Sequence, residues 1–413
     1  MRGAGDHLSV GERVAFYRAR RGMTQAVLAG LVGRSEDWLS KIERGERSLR
    51  RLDIAVELAR ALRVTVGDLF GQPILVEDES EHADDDVPAV RDALMAPRRL
   101  SRVLYGQQTA YQDLSPEAAS VLVYRSWEDF QRGRLGRVIT ALPGLIRSAQ
   151  HLEDLGAMSD AQRRGWAVSA RVHHLAATTL AKVGEADLAW IAAERSMQAA
   201  DQADDPLVLA SAARAGTHAL LAIGRYAEAL DLGETAARWL CSQVQDDDPE
   251  ALSLVGMLYL RTAAAAARKQ DRSMWTELHS RAADMGNRLG RDANYWQTGF
   301  GPTNVTLHRL AAALDLGDIS YVVANGPGVE VGHMPVERGV SYRTDLARAF
   351  ALDAQDEAAL SELLTAEESA PQLVRNSAEV RETVRAMYRR SPVAARSKSS
   401  PVMGLAQRCR AVQ

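Results

Sequence analysis

Four side chains between Glu36 and Lys41 have the chemistry to meet the edges of base pairs. Lys41 can donate to guanine O6 or N7, Ser40 can donate or accept, and Glu36 and Asp37 can accept from cytosine N4. Gln25, Arg44, Arg47 and Arg50 carry N–H donors suited to phosphate oxygens, contacts that fix register rather than read sequence. Arg34 either bends toward a phosphate as well or strains the turn it stands in, and Ser35 stands beside it at the start of the reading segment. Such a set works only if a short helix presents it. Thr24 can cap a first helix through its hydroxyl. Leu28, Leu31 and Val32 then fall at i, i+3 and i+4 as one apolar face, Ala29 is small enough for close approach, and Gly33 can take a positive φ. Ser35 caps the second helix, which Trp38, Leu39 and Ile42 anchor, leaving Glu36, Asp37, Ser40 and Lys41 outward. Two short helices joined by a glycine turn, the second one polar, is how a helix-turn-helix offers side chains to a DNA groove.

The ordered run Thr24-Gln25-x-x-Leu28-Ala29-x-x-x-Gly33-x-Ser35-x-x-x-Leu39-Ser40-x-Ile42-Glu43-x-Gly45 resembles the XRE family, the lambda-repressor-like DNA-binding domains, and the likeness extends from about Leu8 to Phe70. It implies a five-helix domain, with a first helix over Val10 to Gly22 and fourth and fifth helices over Leu52 to Leu62 and Thr65 to Phe70. It also implies a partly buried ion pair between Arg18 and Glu43. Arg34 stands where relatives carry a small apolar residue, and Leu49 where many carry proline. Glu36 and Asp37 replace the common glutamine, serine or arginine, so no relative's operator sequence carries over.

A chain of 413 residues is too long for one such domain. Aromatics make up only 5% and alanine is abundant, which favours closely packed helices over a β-sandwich. The longest alanine-rich stretch, Thr262 to Ala267, is far too short to span a bilayer. Met1 to Val10 lacks the apolar core of a signal peptide. Cys241 and Cys409 lie far apart and outside any metal-ligand spacing, as expected of reduced thiols in a cytoplasmic protein.

Charge is unevenly spread. Met1 to Gln72 holds 13 Lys+Arg and 9 Asp+Glu, whereas Pro73 to Asp86 holds 7 acids and no Lys or Arg. A mildly basic head followed by an acidic tether fits a small DNA reader joined to a larger body. The head is not basic enough to bind tightly as a monomer through phosphates alone, so a homodimer on an operator with two half-sites is expected. Residues 73–86 read as a solvated linker, and a mimic of DNA competing for the basic face is the sharper alternative.

From Val87 to about Arg390 the chain reads as repeated helical hairpins. Leu180 to Ala189 and Leu221 to Leu230 both place a glycine after an alanine-rich helix and then open a new one, and Gly184 and Gly224 are 40 residues apart. Weaker copies fall at Gln131 to Leu135, Arg268 to Asp271, Asp315 to Asp318 and Leu352 to Asp356. This spacing belongs to stacked hairpins. It resembles tetratricopeptide repeats, and such a body on an XRE head resembles a group of actinobacterial regulators. The resemblance implies a solenoid that binds a small-molecule, peptide or protein effector and dimerises. Asp204-Asp205-Pro206 and Asp246-Asp247-Asp248-Pro249 read as breaks with proline in the next first turn.

Within the body, Asn294, Tyr295, Trp296, Phe300 and Asn304 concentrate aromatics and amides around a Gly-Pro break, a mix that lines polar pockets. The alternative is that Thr303 caps a helix and the aromatics staple two repeats. His173 and His174 point about 100° apart on a helix and do not form a metal pair. Arg338 to Arg348, with Tyr342 and Arg343, reads as a solvated helix face or an anion contact. There is no phosphate loop, no Gly-x-Ser-x-Gly elbow and no His-Glu-x-x-His helix, so no catalytic residue, metal or cofactor is expected, and the chain does not read as an enzyme.

The expected whole is all-α: a helix-turn-helix head over 1–72, a linker over 73–86, a tetratricopeptide-like solenoid over 87–390 and a flexible tail over 391–413 with a possible last helix near Gly404 to Val412. Two functions fit it, a DNA-binding transcription regulator with an effector-sensing body, and a protein-interaction adaptor whose head only tethers it to DNA.

Overall fold

The computed structural model describes residues 9–20, 23–47, 49, 52–62, 64, 69, 87–97, 104, 115–154, 159–245, 247–391 and 400–412. The expected linker over 73–86, Arg50 and almost all of the expected fifth helix lie outside them. The described residues are all-α, with no strand longer than one isolated bridge, between Ala293 and Phe300. The chain divides into two units, Met1–Asp92 and Ala93–Gln413, so the division falls inside the helix Val87–Leu94 that the sequence places at the start of the body.

In the first unit, α1 (Val10–Arg20), α2 (Gln25–Leu31), α3 (Glu36–Glu43) and α4 (Leu52–Leu62) enclose a core of Val14, Leu28, Ala29, Val32, Leu39, Ile42, Leu58 and Leu62. Both expected caps form: Thr24 Oγ1 accepts from the Val27 amide and Ser35 Oγ from the Trp38 amide, each at 3.2 Å. Gly33 takes φ +62° at the turn, a conformation that costs an L-residue free energy. The apolar face of α2 differs from the sequence reading: Leu31 is 60% exposed and Val27 51%, and the buried pair is Leu28 with Ala29.

After α5 (Val87–Leu94) the second unit runs as hairpins: α6 (Pro116–Gln131) with α7 (Leu135–Glu153), α8 (Asp160–Lys182) with α9 (Ala186–Ala203), α10 (Pro206–Ala222) with α11 (Tyr226–Gln243), and α12 (Pro249–Arg268) with α13 (Arg272–Leu289). α14 (Pro302–Asp315) pairs with α15 (Ile319–Asn325), and α16 (Val336–Leu352) with α17 (Asp356–Ser369). The first helix of each hairpin packs on the first helix of the next, which makes α6, α8, α10, α12, α14 and α16 an inner layer. Every hairpin turn foreseen from the repeat has the same geometry. Gly133, Gly184, Gly224, Gln270, Gly317 and Ala354 all take φ between 59° and 83°. The following amide then reaches back five residues, as Glu185 N to Leu180 O and Arg225 N to Leu220 O do at 2.9 Å, closing a Schellman turn over the otherwise unpaired carbonyls. Pro206 and Pro249 open their helices in the first turn, as foreseen, and the carboxylates of Asp205 and Asp248 cap them.

The solenoid closes on itself. α16 meets α6, and the short α18 (Pro371–Arg375) meets α7. The Gly136 amide donates to Gln372 Oε1 at 2.8 Å, and Gln131 exchanges two amide hydrogen bonds with Asn294 at 2.9 and 3.0 Å. At the seam a Cβ on Gly133 would lie 2.5 Å from that of Ala370, so only glycine fits there. The last repeat is covered too. α19 (Ala378–Arg390) and α20 (Pro401–Arg408) bury Val384, Met387, Val402 and Leu405, and Arg408 and Arg375 both hold the buried Glu367. The apolar face of the last repeat is therefore covered among the described residues. The last helix docks on its own chain.

Ala354 adopts the left-handed conformation with an exposed Cβ that packs on little. Ala354→Gly should stabilise the second unit by up to about 1 kcal/mol, the left-handed penalty less the extra chain entropy of glycine. A urea midpoint that falls instead would contradict this account of the turn.

Candidate nucleic-acid interface and effector site

The angle at which α3 is offered is set from beneath. Arg18 on α1 forks onto Glu43 at the end of α3, with Nε donating to Oε1 at 2.6 Å and Nη2 to Oε2 at 2.8 Å. The side chains are 17% and 5% exposed, so the pair is largely desolvated, and the bond to Glu43 raises the Arg18 pKa. A bidentate fork fixes orientation as well as distance. Gln25 Nε2 donates to the same carboxylate at 2.7 Å, which turns its amide onto α3 and commits one of the donors expected to reach phosphate.

The outer side of α3 is polar and open. Glu36 and Asp37 are exposed, and Ser40 and Lys41 half-buried. Lys41 Nζ lies 2.7 Å from Asp37 Oδ2, a surface pair one helical turn apart. Such pairs contribute little in water, so Lys41 can leave Asp37 for a base acceptor at small cost. Arg34, Arg44 and Arg47 are exposed around it, and Arg44 touches Glu46 at 3.1 Å. Arg34 does not strain the turn: its amide donates to Ala29 O at 2.9 Å, and the positive φ falls on Gly33. Its guanidinium stands 5.9 Å from the Trp38 ring centroid, and with Arg47, Ser35 and Asp37 it borders a shallow cleft at the start of α3. Seven of the ten residues expected at a DNA face thus gather on one exposed side, from Arg34 to Arg47. Gln25 is drawn inward, Ser35 is spent as a cap, and Arg50 lies outside the described residues.

The second constellation forms a loop between α13 and α14. The Trp296 indole N–H donates to Glu250 Oε2 at 2.5 Å, and Arg171 stands 5.5 Å from its ring centroid. Arg214 donates to the carbonyls of Trp296 and Gln297 at 3.1 and 3.4 Å. Two expected effector contacts are structural instead. Phe300 has no accessible surface and packs on Gly256, and Asn294 is engaged by Gln131 and by the Gly299 amide. Tyr295 stays half-buried, and Asn304 is 1% exposed with no partner for its Oδ1 among the described residues. Nor is Thr303 a cap: its own amide donates to Asp292 Oδ1 at 3.0 Å. His173 and His174 are core residues, His174 bonded to Ser211 Oγ at 3.0 Å and edge-on to Trp127. On α16, Tyr342 is buried and Arg343 is paired with Glu362 at 2.6 Å, so neither offers an anion contact, whereas Nε and Nη2 of Arg338 are buried and have no partner among the described residues. No group of His, Cys, Asp and Glu among the described residues could hold a metal, and no described helix is long and apolar enough to cross a membrane.

The capped pair of helices with an outward polar α3 is the arrangement of a helix-turn-helix. Residues 9–70 match the family model described as a helix-turn-helix domain. Among solved structures, the chain is similar to Bacillus thuringiensis PlcR in complex with the peptide PapR7 and DNA, at 14% identity and a TM-score of 0.30, over 68% of this chain and 95% of that one. No curated protein sequence matches.

The Arg18–Glu43 fork gives a direct test of how the head is held. Glu43→Ala strands Arg18 and Gln25 donors in a desolvated site and should cost about 2–4 kcal/mol of head stability. Amide hydrogen exchange over α1 to α3 measures it, and a loss below about 0.5 kcal/mol, the scale of ordinary surface changes, would mean the fork does not hold α3.

Proposed function

We propose that this chain is a cytoplasmic, sequence-specific transcription regulator without enzymatic activity. It binds a two-half-site operator as a homodimer, and its helical ring senses an effector. The observation that carries the reading is the exposed polar face of α3, fixed on a rigid three-helix support and ringed by Arg34, Arg44 and Arg47. α3 enters the major groove, where Lys41, Ser40, Glu36 and Asp37 meet base edges and the arginines hold phosphates. Glu36 and Asp37 make the face selective rather than merely basic: a carboxylate repels phosphate everywhere and is compensated only over a cytosine amino group. With few cations in the head, two copies are needed for useful affinity at physiological salt, and the spacing between heads becomes the quantity an effector adjusts.

Gel-shift titrations at several salt concentrations test the division of labour. Lys41→Ala should weaken the selected site by about 1–3 kcal/mol while leaving random DNA nearly unchanged. Arg47→Ala should weaken all sequences alike and flatten the salt slope by about one unit. Equal losses on all sequences for both variants would remove Lys41 from the reading set. Diffuse occupancy of genomic DNA, in place of sharp palindromic sites, would favour the tethered adaptor.

A further inference from the structure

Five cations stand on the inner helices. Arg171 and Lys182 come from α8, Arg214 from α10, Arg261 from α12 and Arg338 from α16. They lie close enough to act on one another: Arg214 and Arg261 repel, as do Arg261 and Arg338. Three carboxylates answer them. Glu250 is bonded to Trp296, and Glu337 is held at 2.5 Å by Lys182. Burial pushes the third, Asp345, up to about 6, so its charge is easily given up. The balance leaves positive charge in excess. Burial and the neighbouring arginines accordingly pull Arg214 down to about 9 and Arg261 to about 10, groups that otherwise keep their proton throughout the pH range of proteins.

Some of their donors lack partners as well, although both Nη groups of Arg214 reach the Trp296 and Gln297 carbonyls. Arg214 is 7% exposed, and among the described residues its Nε has no acceptor. The same holds for Arg261 Nε and for Arg338 Nε and Nη2, all buried atoms. Buried N–H groups nearly always have partners, and uncompensated buried charge is costly. A neutral partner could satisfy the hydrogen bonds but not the charge. An oxyanion satisfies both, because its oxygen pair matches the guanidinium fork.

We propose that the interior of the ring is a binding site for a small oxyanionic ligand, a carboxylate or phosphate compound, held by Arg214, Arg261 and Arg338. This deepens the effector role proposed above by naming the effector's chemistry, but it concerns the second unit alone and its test does not involve DNA.

The test is thermal unfolding of the full chain with inorganic phosphate or citrate as probe, against sodium chloride at matched ionic strength. Six of the seven tryptophans lie in the second unit and report its transition. Phosphate or citrate should raise its midpoint by about 2–4 °C or more at saturation, as ligand linkage requires. Response to phosphate alone identifies a phosphate ligand, and to citrate alone a carboxylate. Arg261→Met and Arg338→Met, tested separately in case one fails to fold, should abolish the shift while leaving the anion-free protein at least as stable as wild type. Arg47→Ala, on the DNA face, should keep the shift. No stabilisation beyond chloride, a shift retained in both methionine variants, or a shift lost in Arg47→Ala would overturn the site. Anion binding with no operator binding would refute the regulator reading and leave this one standing.

Discussion

Close approach between inner helices is the constraint on which the second unit depends. Each inner helix must touch two others of its layer and one outer partner, and alanine and glycine permit the short separations that this requires. α10 and α12 bury Ala210, Ala213, Ala251, Ala263 and Ala266 at such contacts. Among these small residues the inner layer also carries Arg171, Arg214, Arg261 and Arg338, long charged side chains that close packing does not require.

The head solves a different problem with the same economy. A helix that exposes this many polar residues has an apolar side too narrow to fix its own angle. Leu39 and Ile42 hold α3 down, and the fork from Arg18 to Glu43 stops it rolling. Because Glu43 sits at the C-terminal end of α3, the constraint acts at the far end from Ser35. The helix is thus pinned by its cap at one end and by an ion pair at the other.

Local chemistry was legible in the sequence and long-range closure was not. The turns at Gly184 and Gly224, the caps at Thr24 and Ser35, the first-turn prolines Pro206 and Pro249 and the core positions Leu28, Leu39 and Ile42 are set by neighbours within a few residues, so spacing reveals them. Arg18 and Glu43 lie 25 residues apart and were legible only through the family resemblance. Leu31 was misplaced because helical periodicity says which residues share a face but not how much of that face is covered. Phe300 was read as a pocket wall because its burial against Gly256 depends on a helix some forty residues earlier. Of the interior arginines, only Arg338 falls in a stretch whose sequence suggests an anion contact; Arg171, Arg214 and Arg261 come from three other helices and are single charges among mostly apolar neighbours. Only closure of the ring makes them neighbours.

That closure changes how the second unit bears load. An open stack of hairpins responds to perturbation nearest-neighbour by nearest-neighbour, and its ends fray independently. Here the contact of α18 with α7 and the Gly136–Gln372 bond act as a clasp on a belt. A displacement introduced anywhere along the circuit must be shared around it, because neither end is free to absorb the slack. The hairpins therefore behave as segments of one hoop, whose circumference is fixed and whose remaining freedom is a change of roundness.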